Sequence, residues 1–343
     1  MNKVPQIEQR KKDHIAINLN KDINSDLTNG LEKYQLLHCA LPELDLVDVD
    51  ASSTFFNKLL SYPVLISSMT GGTKESEKIN RNLAHNAQSF HLAMGVGSQR
   101  AGLENDASMQ TFKVRQYAPD ILLFANLGAV QLNYSYTIEH CKKIVDAVEA
   151  DALILHLNPL QESIMEDGNT NFSGLLAKIE LVCKKLPVPV VVKEVGWGIS
   201  GEVAKQLANA GVQAIDVAGA GGTSWSEVEK HRTSKAFLRE TAGAFKDWGI
   251  PTAECIIQTR QALPSIPLIA SGGLRNGVDI AKCIALGANM GGMARQFLAS
   301  AADSEDTLHT TTLAITRQFR IAMFGVGARN LNELRINKIS RIK

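Results

Sequence analysis

Eight short apolar runs, beginning near Val64, Leu92, Ile121, Ala152, Val190, Ala214, Leu268 and Asn289, follow one another about 32 residues apart on average. That interval holds one strand, one helix and their loops, the length of a βαβ unit. The segments between the runs carry a helical period: Ile138, Cys141, Val145 and Val148 form one stripe, Leu175, Ile179, Cys183 and Leu186 a second, and Val203, Leu207 and Ala210 a third. Val190-Val191-Val192 is apolar without alternation, as a strand covered on both faces must be. Eight strands alternating with helices predict an α/β fold, a single (β/α)8 TIM barrel, with a doubly wound sheet as the weaker alternative. No run opens into a GxGxxG turn, which counts against a dinucleotide-binding sheet.

One interval departs from the rhythm. Between Ala214 and Leu268 the chain holds a charged stretch, 225–250, with two of its three tryptophans, which reads as an insertion between strands six and seven near the barrel mouth. Residues 1–30 lack a sustained hydrophobic period and carry the dense group Glu8-Gln9-Arg10-Lys11-Lys12-Asp13-His14, so they are expected to form an arm and not a core element. Leu44 to Phe56 mixes acidic and apolar residues and fits a hairpin or cap. The expected division is therefore an N-terminal arm and cap, 1–62, ahead of a barrel, 63–343, which ends in a closing helix over Leu308–Phe324 and a basic tail.

Charge and cysteine usage narrow the function. Lys plus Arg is 36 against 35 for Asp plus Glu, so no global field attracts nucleic acid or a membrane surface, and an anionic ligand must be held by local groups. The five cysteines are widely separated with no CxxC pair, which reads as reduced structural thiols. With no apolar leader and no run of membrane-spanning length, the expectation is a soluble, cytoplasmic protein.

In a parallel α/β barrel ligands bind at the C-terminal strand ends, and these ends are chemically rich. In the run from Ala152 to Glu162, Pro159 disfavours helix at Asn158, so a loop should present His156, Asn158, Gln161 and Glu162. Strand one ends in Ser67-Ser68-Met69-Thr70-Gly71-Gly72, strand two in Gly97-Ser98-Gln99-Arg100, strand three in Asn126-Leu127-Gly128 and strand five in Lys193-Glu194. A lysine ending so apolar a strand needs an anion or an electron-rich ring as partner. Strands six to eight end in Gly219-Ala220-Gly221-Gly222-Thr223, Gly272-Gly273-Leu274-Arg275 and Gly291-Gly292-Met293-Ala294-Arg295. Glycine-rich turns there, with a helix N-terminus, form a phosphate site in many barrels. Arg100, Arg10 and Lys11 remain for a second phosphate system. Glu162 alone is too small a ligand set for a protein-only Mg²⁺ cage, but it suffices where substrate phosphates and waters complete the octahedron.

Taken together, Arg10-Lys11-Lys12-Asp13-His14-Ile15, Ser67 to Gly72, Gly97 to Arg100, His156 to Glu162, Lys193 to Gly196, Gly219 to Trp225, Gly272 to Gly277 and Gly325 to Arg335 resemble the type 2, FMN-dependent isopentenyl-diphosphate isomerases over nearly the whole chain. The glycine clamps are common to many FMN barrels. The Arg-Lys-x-Asp-His arm together with His-Leu-Asn-x-x-Gln-Glu is the specific part.

The resemblance implies interconversion of isopentenyl diphosphate and dimethylallyl diphosphate with reduced FMN and Mg²⁺, NADPH serving as flavin reductant. It implies FMN held by Ser68, Met69, Thr70, Ser98, Asn126, Lys193, Thr223, Gly273, Leu274, Arg275, Ala294 and Arg295. Substrate would be held by Arg10, Lys11, Ser98, Gln99, Arg100, His156, Asn158 and Gln161, and Mg²⁺ by Glu162. Gln161, His156 and Lys193 are the expected catalytic groups, Glu229 is expected near the mouth, and the assembly is expected to be a homotetramer or larger. An FMN oxidase of 2-hydroxy acids is the rival on the same barrel. It needs a histidine base with an arginine clamp after the late strands, where the sequence offers only His231 with Arg232.

Overall fold

The computed structural model describes residues 3–342, with side chains from Glu8 onward. Among these residues, eight parallel strands close into a barrel: Val64–Ile66, Ala93–Gly95, Leu123–Gly128, Ala152–His156, Val190–Lys193, Ala214–Asp216, Leu268–Ser271 and Met290–Met293. Closure is made by the eighth strand pairing the first, with Gly291 opposite Val64 and Met293 opposite Ile66. The starts expected from sequence lie within two residues of those observed.

Strand periodicity sorts the core into two shells. Leu65, Ala93, Phe124, Ile154, Val191, Ala214, Ile269 and Met290 face inward and fill the barrel, while neighbours such as Val64, Leu123, Leu153, Val190 and Leu268 face outward under the helices. Burying both faces explains why these strands read as unbroken apolar runs. The region expected to be a hairpin or cap contains strands Ser53–Phe55 and Lys58–Leu60, which pair antiparallel through a tight turn at Phe56 and Asn57, both with positive φ. Phe55 and Leu60 join the inner cluster, so this hairpin plugs the barrel.

The arm is not irregular. Lys3–Asn20 is an 18-residue helix, and Ile15, 3% exposed, belongs to the main core. The expectation of a non-core segment is therefore corrected. The helix has too few apolar residues to show a period of its own, and it gains its buried face from tertiary packing on distant elements. Ile17, Ile23 and Val228 form a small cluster against Trp225, which joins the N-terminal segment to the inserted helix Trp225–Arg232. That helix and Ala236–Gly243 lie between strands six and seven, as the long interval predicted. The closing helix runs over Glu305–Gly325, and the tail returns as strand Ile339–Arg341 to pair antiparallel with Tyr34–Leu36. All five cysteines are free, and no helix among the described residues is long and apolar enough to cross a membrane.

Candidate active site

The C-terminal strand ends, the first helix and the insertion together enclose a cavity of about 420 Å³. Strand one contributes Ser68, Met69 and Thr70, strand two Ser98 and Arg100, strand three Asn126, strand four His156, Asn158, Gln161 and Glu162, and strand five Lys193. Thr223, Gly273, Leu274, Arg275, Ala294 and Arg295 line the side formed by the late loops, and Arg10 and Lys11 reach in from the first helix.

Gln99 alone among the expected site residues does not line the cavity. Its side chain is fully buried behind the strand ends, where Nε2 donates to the Ile144 carbonyl at 3.0 Å and Oε1 accepts from the Asn126 backbone N–H at 3.0 Å. The Gln99 side chain therefore faces away from the cavity that holds its neighbours Ser98 and Arg100. Its amide fixes strand three, and Asn126 with it.

On strand four, His156 Nδ1 lies 2.8 Å from Asn126 Oδ1, so the ring is a neutral donor at Nδ1 with Nε2 left as an acceptor. Burial, then the charges of Lys193, Arg10 and Lys11, push its pKa down to about 4. Pro159 opens a short helix, Pro159–Ile164, with Asn158 at its N-cap. Asn158 Nδ2 donates to Gln161 Oε1 and to Glu162 Oε1, both at 3.1 Å, which leaves the buried Asn158 Oδ1 without a partner. Glu162 Oε2 accepts from the Asn169 N–H at 2.6 Å.

Cations outnumber anions on this side. Arg10 is held below its ordinary pKa by burial, partly offset by Glu162. Lys11, over the Phe112 ring at 4.7 Å and donating to the Ser98 carbonyl at 2.8 Å, is pushed down to about 7 by burial and by Arg10. Arg100 Nε is buried without a partner. Buried cations short of counter-charge are costly, and a multiply charged anion would relieve them.

The late-strand side has the shape of a phosphate cradle. Gly273 adopts φ +71°, and a Cβ there would lie 2.2 Å from the Gly221 carbonyl oxygen, so the two loops approach as only glycine allows. Helix Arg295–Asp303 begins beside it with no side-chain cap, leaving N–H groups and the positive end of the helix dipole at the cavity. The two arginines expected to clamp there are engaged elsewhere. Arg275 pairs with Asp279 at 3.0 Å, and Arg295 donates to Asn24 Oδ1 at 2.7 Å. The N-terminal amides of helix Arg295–Asp303, without a side-chain cap, remain as donors at that end. Ser67 and Ser68 hydroxyls are buried without partners, and with the cradle they fit an FMN whose phosphate tail lies under the late loops.

Asn18 and Met165 line the cavity and were not singled out in the sequence, while His14, Ile15 and Trp225, which also line it, entered only as parts of the matching motifs. The spacing of Lys11, His14 or Ile15, and Asn18 is one helical face and was the available signal. His14 packs edge-on against Trp225, with ring centroids 5.1 Å apart, and lies 3.0 Å from Glu229 Oε1. The pair required by a hydroxy-acid oxidase is not assembled: His231 is exposed and faces the Asp22 carbonyl, and Arg232 pairs with Glu229 at 2.5 Å.

Comparison with known proteins agrees with this geometry. The model of the FMN-dependent dehydrogenase family matches residues 129–341. The isopentenyl-diphosphate delta-isomerase of Nostoc sp. is 55% identical over 96% of this chain and 95% of its own length. That of Oceanobacillus iheyensis is 47% identical over 96% and 95%. Among solved structures, a mandelate oxidase with (S)-2-phenylpropionate superposes with a TM-score of 0.67 over 99% of this chain and 98% of its own, at 17% identity, a likeness of fold alone. The chain belongs to the FMN-dependent barrel family and, within it, to the isopentenyl-diphosphate delta-isomerases.

Proposed function

We propose that this protein interconverts isopentenyl diphosphate and dimethylallyl diphosphate using reduced FMN, with Mg²⁺ at Glu162 and NADPH as the source of reducing equivalents. The observation that carries the reading is that one cavity holds both a glycine-built cradle on the late loops and a group of cations, Arg10, Lys11 and Arg100, from the first helix and the end of strand two. One end suits a flavin phosphate and the other a diphosphate, which leaves the alkene beside the ring.

A double-bond shift needs a proton added at one carbon and removed at another, with no net redox change. Reduced FMN supplies an electron-rich ring and a proton-transferring nitrogen for that chemistry. The chain's own groups orient and exclude water. Arg10, Lys11, Ser98 and Arg100 would hold the diphosphate, each cation contributing on the order of 4 kcal/mol at 4 Å and an effective dielectric of ~20 before desolvation is counted. Neutral His156 presents an acceptor to the cavity, so it cannot protonate an alkene near pH 7, and it gains a proton only if the diphosphate charge raises its pKa. Gln161 is fixed between Asn158 and Glu229 and would position the substrate's reacting end. Glu162 offers one carboxylate, so substrate oxygens and water would complete the metal's shell. Within the expected 1–62 unit the first helix serves as an arm over the cavity while the 53–60 hairpin plugs the barrel, and the working form is a cytoplasmic homotetramer or larger assembly.

Anaerobic incubation of the FMN-loaded, dithionite-reduced protein with isopentenyl diphosphate should yield dimethylallyl diphosphate. Oxygen consumption driven by a 2-hydroxy acid, without isomerisation, would favour the oxidase reading instead.

A further inference from the structure

Asp216 ends strand six, is 0% exposed and does not line the cavity. Its carboxylate nevertheless joins three consecutive strand ends. Oδ2 lies 3.1 Å from Lys193 Nζ on strand five, and Oδ1 accepts from Ser271 Oγ on strand seven at 2.6 Å. The same Oδ1 takes the Ala218 N–H at 3.3 Å, at a residue held at φ +38° in the cavity wall. A non-glycine residue with positive φ persists only where its surroundings over-determine it. Lys193 has its side chain 10% exposed and faces the cavity. Its strand neighbours in register are His156 and Asp216, of which only Asp216 is an anion.

We propose that Asp216 is a positioning residue for the flavin reaction: it sets a buried counter-charge beside the Lys193 ammonium and keeps it aimed into the cavity, so that Lys193 favours the anionic reduced ring over the oxidised one. This rests on the functional reading above. Without Asp216 the buried ammonium loses the carboxylate that its strand neighbours supply and the contact that aims it, so it turns away. Ser271 orients the carboxylate, and the Ala218 turn is held by the same oxygen.

The test is a double-mutant cycle on the full chain, reading dissociation constants of oxidised and of reduced FMN under anaerobic titration. Wild type should prefer reduced FMN. Lys193→Met should erase the preference, and Asp216→Asn should reduce it about tenfold, roughly 1.4 kcal/mol. In the Lys193→Met background, Asp216→Asn should change it less than about twofold. Additive effects, an unchanged preference or a stronger one in Asp216→Asn would overturn the proposal. Should Asp216→Asn fail to fold, Ser271→Ala, which removes only the orienting hydroxyl, should give a smaller loss in the same direction, and no loss would overturn it. A wild-type chain that takes up no FMN would defeat the functional reading. Asp216 is then tested in the apoprotein, where a crystal structure of Asp216→Asn or Ser271→Ala should show Lys193 Nζ displaced, and an unmoved ammonium would refute the role.

Discussion

Gln161 Nε2 donates to Glu229 Oε1 over 3.1 Å, linking the short helix after strand four to the insertion after strand six. The same oxygen lies 3.0 Å from His14 Nε2, so one carboxylate ties the first helix, the insertion and the strand-four loop together. Burial raises the pKa of Glu229, but His14 and Arg232 more than offset it and hold the group down at about 2. Glu229 is thus an anion throughout the physiological range and anchors Gln161. Gln161→Ala should lower kcat by about 10² or more if Gln161 orients the reacting carbons. Cys255→Ala, at a buried thiol behind the cavity, should retain near-native turnover. Equal rates for the two variants, followed by dimethylallyl diphosphate formation, would remove Gln161 from the reaction.

Arg10 contributes charge to the cavity from the first helix, and among the described residues its side chain makes no hydrogen bond to the glycine turns of the cradle. Arg10→Ala should raise the KM for isopentenyl diphosphate about tenfold or more, the size expected for losing a charge-assisted hydrogen bond. Flavin absorbance of the loaded protein should be unchanged. An unaltered KM would take the arm out of the site.

Lys11 sets a pH dependence with a defined sign. With its pKa lowered to about 7, it is charged below that value and neutral above it, while an unfolded lysine stays charged to near 10.5. The unfolded state therefore binds more protons between about 7 and 10.5, and this group's contribution to stability rises with pH across that window. Diphosphate affinity moves the opposite way, weakening as pH rises through about 7 because the anion prefers the ammonium. Lys11→Arg keeps the charge and should flatten that slope in a titration of binding against pH.

The eight strand starts and the site-bearing strand ends were legible because both follow from local pattern: unbroken apolar runs, then glycine, amide or charged residues. Other features depend on partners distant in sequence. The first helix packs on residues from 87 to 215 positions away, so its own sequence shows no strong period. Gln99 sits between two site residues, Ser98 and Arg100, but the strand end turns its side chain inward to Ile144 and Asn126. Lys193 calls for an anion or an electron-rich ring, and the anion present is Asp216, buried at the end of an apolar run where nothing local marks it. Glu194 instead spends one oxygen on the N–H groups of Val195, Gly196, Trp197 and Gly198, at 2.6 to 3.2 Å.

The cradle makes a stability prediction. Gly273→Ala combines positive φ with a backbone clash and should cost about 3 kcal/mol, with loss of FMN retention. Gly174, at φ +65° with open space around it, is the control. Gly174→Ala should cost about 1 kcal/mol and leave flavin binding intact. Thermal unfolding with and without FMN checks both.

Acid and base chemistry without net electron transfer is read directly by the flavin spectrum during turnover. Reduced, FMN-loaded protein supplied anaerobically with excess isopentenyl diphosphate should form many equivalents of dimethylallyl diphosphate per flavin while the reduced spectrum persists, and the oxidised protein should form none. Product capped at one equivalent per flavin with the yellow oxidised band returning, or equal rates from the oxidised protein, would contradict it.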